Sequence, residues 1–195
     1  MDAEMQTTTR ADDEPPSRAR GLGRTDRHLT VERWFLSTLP GPARDRARQE
    51  WEKYRLAVLP LGTLFSAVRL PGCLVPTVVG SGIPSGEVDR FLSMALHSGP
   101  VICDPHGQRY YALVPADMPH AWRRAAERWR TQGVRCLGQG AYLGLPRVDV
   151  DQPSMATASY WSVPMASAAT LCVPLDVAQL IGGGRWHESG EGQAG

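Results

Sequence analysis

The chain contains no asparagine and a single lysine, Lys53, so 20 of its 21 basic residues are arginine. A GC-rich coding sequence produces the same bias, so an arginine-rich phosphate surface has to be argued from clustering rather than from the count. No run of about 18 apolar residues is present, which excludes a hydrophobic membrane-spanning helix. Cys73, Cys103, Cys136 and Cys172 are far apart and form no C-x-x-C pair, which excludes a zinc ribbon or a thioredoxin-like site. No G-x-S-x-G marks a serine nucleophile. The formal net charge is only +1, too small for a protein that coats nucleic acid. The start, Met1-Asp2-Ala3-Glu4, is acidic where a secretory signal would be basic and then apolar. The expectation is a cytoplasmic protein with reduced thiols and no membrane partner.

What remains is enough chain, 195 residues at 42% hydrophobic, for one domain with a core. Residues 1–27 carry almost no bulky apolar side chains and read as a disordered leader. Residues 183–195 are glycine-rich and polar and read as a flexible tail. Between them, 28–182, Thr30 is placed to cap a short helix, and Pro42 to open a second with Ala47, Trp51 and Tyr54 on one stripe. Residues 55–72 read as two short strands about Pro60-Leu61-Gly62. Ser85 is placed to cap a third helix with Val88, Phe91, Leu92 and Leu96 on its apolar stripe. Asp104-Pro105-His106-Gly107 is a turn between the strands 101–103 and 109–114. Asp117 opens a fourth helix, late strands follow, and Pro174 begins a last helix. Helices interleaved with hairpins predict an α+β domain with a mainly antiparallel sheet and packed helices.

Three groups of residues carry candidate chemistry. Asp149 and Asp151 are two apart, and on a strand they would share a face, as polymerase and nuclease folds hold divalent metal. They precede Gln152-Pro153-Ser154, so a solvated loop is the competing reading. Cys103 and His106 form a C-x-x-H, either a weak metal pair or a strand end beside a turn. Arg123, Arg124, Arg128 and Arg130 surround the apolar stripe of the fourth helix, either as a phosphate or partner site or as a solvated face. Eight acids lie in the leader and tail against six arginines, so the near-neutral total hides a more basic domain.

RLAVLPLGTLFSAVRLP, SGPVICDPHGQRYYALVP and CLGQGAYLGLPRV, followed by WSVP, resemble in order and spacing the small actinobacterial proteins known as bifunctional DNA primase/polymerase N-terminal-like. The likeness spans roughly residues 55–182 and rests on strand patterns and Gly/Pro placement. It implies a primase-type α+β fold, whose active members join nucleotides with a carboxylate pair, a histidine, a further carboxylate and divalent metal. Here no histidine motif follows Asp149 and Asp151, which implies a catalytically degenerate member associated with nucleic acid or nucleotide. A non-enzymatic protein-interaction or regulatory module is the alternative expectation.

Overall fold

Strand β2 (Phe65–Pro71) alternates between two apolar environments, and the rest of the domain is arranged around it. In the computed structural model, residues 18–75 and 85–183 are described. The chain runs through α1 (Arg18–Leu36), α2 (Gly41–Tyr54), β1 (Leu56–Pro60), β2, α3 (Gly86–Ala95), β3 (Val101–Asp104) and β4 (Arg109–Pro115). It continues through α4 (Met118–Ala121), α5 (Arg123–Trp129), β5 (Arg135–Leu137), β6 (Tyr142–Pro146), β7 (Tyr160–Val163) and α6 (Pro174–Gly183). Five strands form one antiparallel sheet in the order β5-β2-β4-β3-β7, and β1 pairs with β6 in a second, two-stranded sheet. The protein is an α+β domain with mainly antiparallel sheet.

Because side chains alternate along a strand, the larger sheet is apolar on both faces. Val68, Leu70, Tyr110 and Ala112 face a core shared with α3, α5 and α6. Phe65, Ala67, Ile102, Leu113 and Trp161 face a second core shared with α1, α2 and the β1–β6 pair. Phe35 of α1 is fully buried there, with ring centroids 5.4 Å from Phe65 and 5.8 Å from Trp161. Trp51 of α2 donates its indole N–H to the Leu145 carbonyl at 2.9 Å, which fixes α2 against β6.

The hairpin about Asp104 forms as its turn residues predict, the Asp104 carboxylate accepting the Gly107 amide at 2.8 Å. Ser85 caps α3 by accepting from the Glu87 amide. Other elements depart from the expectation. Helix α1 starts at Arg18, inside the stretch expected to be a leader, and residues 1–17 of that stretch lie outside the described ones. Thr30 does not start a helix; its hydroxyl donates to the Asp26 carbonyl one turn back, a bond that lets threonine sit within a helix. The expected tail likewise lies outside the described residues beyond Gly183. The fourth helix is two short ones, α4 and α5, broken at Trp122, and Asp117 makes no side-chain cap.

The strands on either side of Pro60-Leu61-Gly62 do not pair with each other: β1 goes to β6 and β2 to β4 and β5. Gly62 makes this crossing at φ +90°, and a Cβ there would lie 2.5 Å from the Gln139 backbone. Only glycine takes that conformation with backbone so close.

Phe35→Ala should therefore cost about 3–5 kcal/mol in urea unfolding, because it empties the contact that joins α1 to the sheet. Gly62→Ala should also lower the urea midpoint, whereas Gly140→Ala, at φ +83° but with open space where a Cβ would stand, should do less harm.

Candidate functional site

Asp149 and Asp151 follow β6 in a turn closed by Val150 N–H to the Arg147 carbonyl, so they are not paired on a strand. Each is met by arginine. Arg147 grips Asp149 with two hydrogen bonds, from Nε at 2.8 Å and from Nη2, and Arg55 adds a third at 3.0 Å. Arg24 of α1 pairs with Asp151 at 2.8 Å. Arg55 ends α2 in the left-handed region at φ 58°, where glycine is the usual residue. Its side chain reaches Asp149 from that position, linking α2 to the loop after β6.

The Arg147 hydrogen bonds, with Arg55 assisting, hold the Asp149 carboxyl down to about 2. His28 of α1 feels the charge of both aspartates, and its own pKa is lowered chiefly by burial. Glu32, one turn on, is raised by burial. An opening of about 640 Å³ lies beside this network, lined by Arg24, Arg27, His28, Asp151, Trp161 and Met165 among others. A histidine thus approaches the carboxylate pair, but from α1 far upstream rather than from a motif after it. Within 3 Å of each aspartate the charge partner is a guanidinium, and among the described residues no group of three or more His, Cys, Asp or Glu could hold a metal ion.

The structure separates Cys103 from His106. Cys103 is fully buried in the helix-side core with its thiol pushed up to about 12 by desolvation, while His106 is exposed on the turn. Nearby, Asp89 of α3 accepts hydrogen bonds from the Tyr160 hydroxyl at 3.1 Å and from Ser162, tying α3 to β7. Burial raises Asp89, and those two hydrogen bonds oppose the rise. This cluster is a structural cross-link.

The four arginines of the fourth helix are all exposed, with Trp122, Ala125, Ala126 and Trp129 turned to the core. They divide between two grooves on either side of α5. Arg124 and Arg128 line one of about 520 Å³ with His120 and Trp122. Arg130 lines another of about 380 Å³ with Glu127 and, across from the helix, Arg135 of β5, and Arg123 borders both. Among the described residues, none of these five arginines is in an ion pair. Arg135 was not among the expected site residues; its place on an edge strand beside α5 follows only from the β2–β5 pairing. Trp122 and Trp129 stack at 6.1 Å against α5, which carries Arg123, Arg124 and Arg128, while Arg130, expected on the same helix, falls in the 3-10 turn just beyond it.

No known protein family, characterised protein or solved structure matches this chain. No helix among the described residues is long and apolar enough to cross a membrane.

Asp149 gives the sign of one pH effect. Its folded pKa of about 2 lies below its ordinary 3.8, so its contribution is present above 3.8 and lost as pH falls through about 2. Asp149→Asn should lower stability at neutral pH and flatten the acid limb of a stability–pH curve between those values. Curves for wild type and variant that stay parallel across that range would show that the ion pairs contribute nothing.

Proposed function

We propose that this domain binds nucleic acid through its phosphates, using the arginines around α5, and does so without joining nucleotides. The observation that carries this reading is the set of five exposed guanidiniums, Arg123, Arg124, Arg128, Arg130 and Arg135, with no ion pair among the described residues. Arg124 and Arg128 are one turn apart on α5, a like-charge spacing that disfavours the helix slightly. Only Glu127 shares their grooves as an acid. Arginine offers a planar fork that fits phosphate oxygens, and a clustered set raises both affinity and capture rate.

The absence of synthesis in this reading rests on Asp149 and Asp151. Two divalent cations at that pair would have to displace Arg147, Arg55 and Arg24 from the carboxylates. The family resemblance of the sequence points the same way, toward a primase-like domain that keeps nucleic-acid association and lacks the catalytic set. The same arginines would serve a nucleotide through its phosphate groups.

A second reading, a protein-interaction module, is favoured by a different surface. The outer side of the β1–β6 pair exposes Val58 and Tyr142, 54% and 68% accessible, next to Tyr54 at the end of α2. Exposed aromatic and branched side chains on one sheet face suit a protein partner.

Fluorescence polarisation with labelled DNA at low salt tests the first reading. Binding should weaken steeply with salt, and each arginine replaced by glutamine in the α5 set should reduce the log–log salt slope by about 1. It should not require magnesium. No binding at low salt, with a Val58→Asp, Tyr142→Asp variant losing a stoichiometric protein captured by wild type, would favour the interaction module instead.

A further inference from the structure

The register of the larger sheet sets Arg135 directly opposite Arg69, and Arg69 directly opposite Tyr111. Directly opposed residues of an antiparallel pair share a face, with Cβ atoms about 4.5–5.5 Å apart. The Cβ atoms of two arginines therefore stand side by side on one face, with that of Tyr111 next in the row. Like charges in that relation are destabilising, and neither arginine is in an ion pair among the described residues. An anion held between such cations would offset that cost.

This is the face that β1 and β6 cover only in part. Phe65, Ala67 and Leu113 are sealed beneath them, while Arg69 and Tyr111 are half-buried and Arg135 is exposed. A groove of about 180 Å³ opens beside Tyr111, walled by Leu56, Ile102, Leu143 and Ser159, with Asp104 at its side. Ser159 is 7% exposed, and its hydroxyl has no hydrogen-bond partner among the described residues. A buried hydroxyl left unpaired is uncommon, and this one lies just beneath the lining of the groove.

Arg135 also belongs to the groove under α5, with Arg123 and Arg130. Through this one residue of the edge strand, the cationic surface passes from the helix side of the sheet round its edge to Tyr111 on the opposite side. Double-stranded DNA, with a persistence length of about 150 base pairs, is too stiff to follow such a turn. A single strand bends freely, and its unstacked bases present π-faces to aromatic side chains.

We propose that the domain holds a single-stranded nucleic-acid segment along this path. Its phosphates lie on Arg123, Arg130, Arg135 and Arg69, and one base stacks on Tyr111 at the mouth of the groove that Tyr111 lines. The proposal rests on the nucleic-acid reading above and adds to it the form of the ligand and its course round the β5 edge.

The experiment is polarisation with the full chain, a labelled oligothymidylate and a blunt duplex of equal length, for wild type, Tyr111→Ala, Tyr111→Phe and Arg69→Gln. Tyr111→Ala should weaken single-strand binding about tenfold or more and leave duplex binding unchanged, and Tyr111→Phe should retain it. Arg69→Gln should lower the single-strand salt slope by about 0.7 and raise the melting temperature of the free protein by relieving the like-charge pair. The melting temperature reads a sheet whose fold is intact independently of binding. Single-strand and duplex binding that both survive Tyr111→Ala and Arg69→Gln unchanged would overturn the sheet-face path and leave the α5 reading standing. Failure of wild type to bind either probe at low salt would overturn both.

Discussion

Everything in this domain hangs from one strand. β2 pairs with β4 along its whole length and with β5 along part of it. Its Phe65 and Ala67 enter the core under α1, α2 and the small sheet, and its Val68 and Leu70 enter the core under α3, α5 and α6. A strand buried on both faces has no room for charge, since an unpaired buried charge is costly to desolvate. Arg69 is the exception in β2, and it falls where cover by β1 and β6 gives out. The same strand that organises both cores therefore also fixes the position of a cation beside Tyr111 and Arg135.

Two groups of arginines that composition alone could not separate stand out in the structure. Arg24, Arg55 and Arg147 are fastened to Asp151 and Asp149 and tie α1 and the end of α2 to the loop after β6. Ion pairs as exposed as these contribute little individually, and their effect is to fix the relative placement of three segments. Arg69, Arg123, Arg124, Arg128, Arg130 and Arg135 have no such partners among the described residues and cluster about one edge of the sheet. A balanced net charge is compatible with this arrangement because Glu127 is the one acid lining the grooves about α5, the rest lying elsewhere on the chain. Both carboxylates singled out in the sequence, Asp149 and Asp151, are held by arginines in this structure.

Local patterns were legible wherever a few neighbouring residues decide the outcome. The Ser85 cap, the Pro42 helix start and the Asp104–Gly107 turn depend on side chains within one turn of the backbone they satisfy. Tertiary pairing was not. Two apolar strands flanking Pro60-Leu61-Gly62 look like a hairpin, yet Gly62 carries the chain from one sheet to the other against the Gln139 backbone. Residues before Thr30 looked too polar to fold, because α1 owes its place to Val31 and Phe35 near its far end. The arginine cluster of the fourth helix was visible as spacing. Arg69 and Arg135 were invisible as a pair, since nothing within either segment states that β2 and β5 are neighbours. His28 near the aspartates was hidden for the same reason.

The central claim is that the unpaired arginines about β5 form one continuous phosphate track ending at Tyr111. Arginine side-chain N–H resonances followed by NMR during titration with a short oligothymidylate test it residue by residue. The account predicts progressive shifts for Arg123, Arg130, Arg135 and Arg69, with ring-current shifts at Tyr111, while Arg55 and Arg147 stay still. Shifts confined to Arg24 and Arg27, beside the carboxylate network, or no shifts at all, would contradict it.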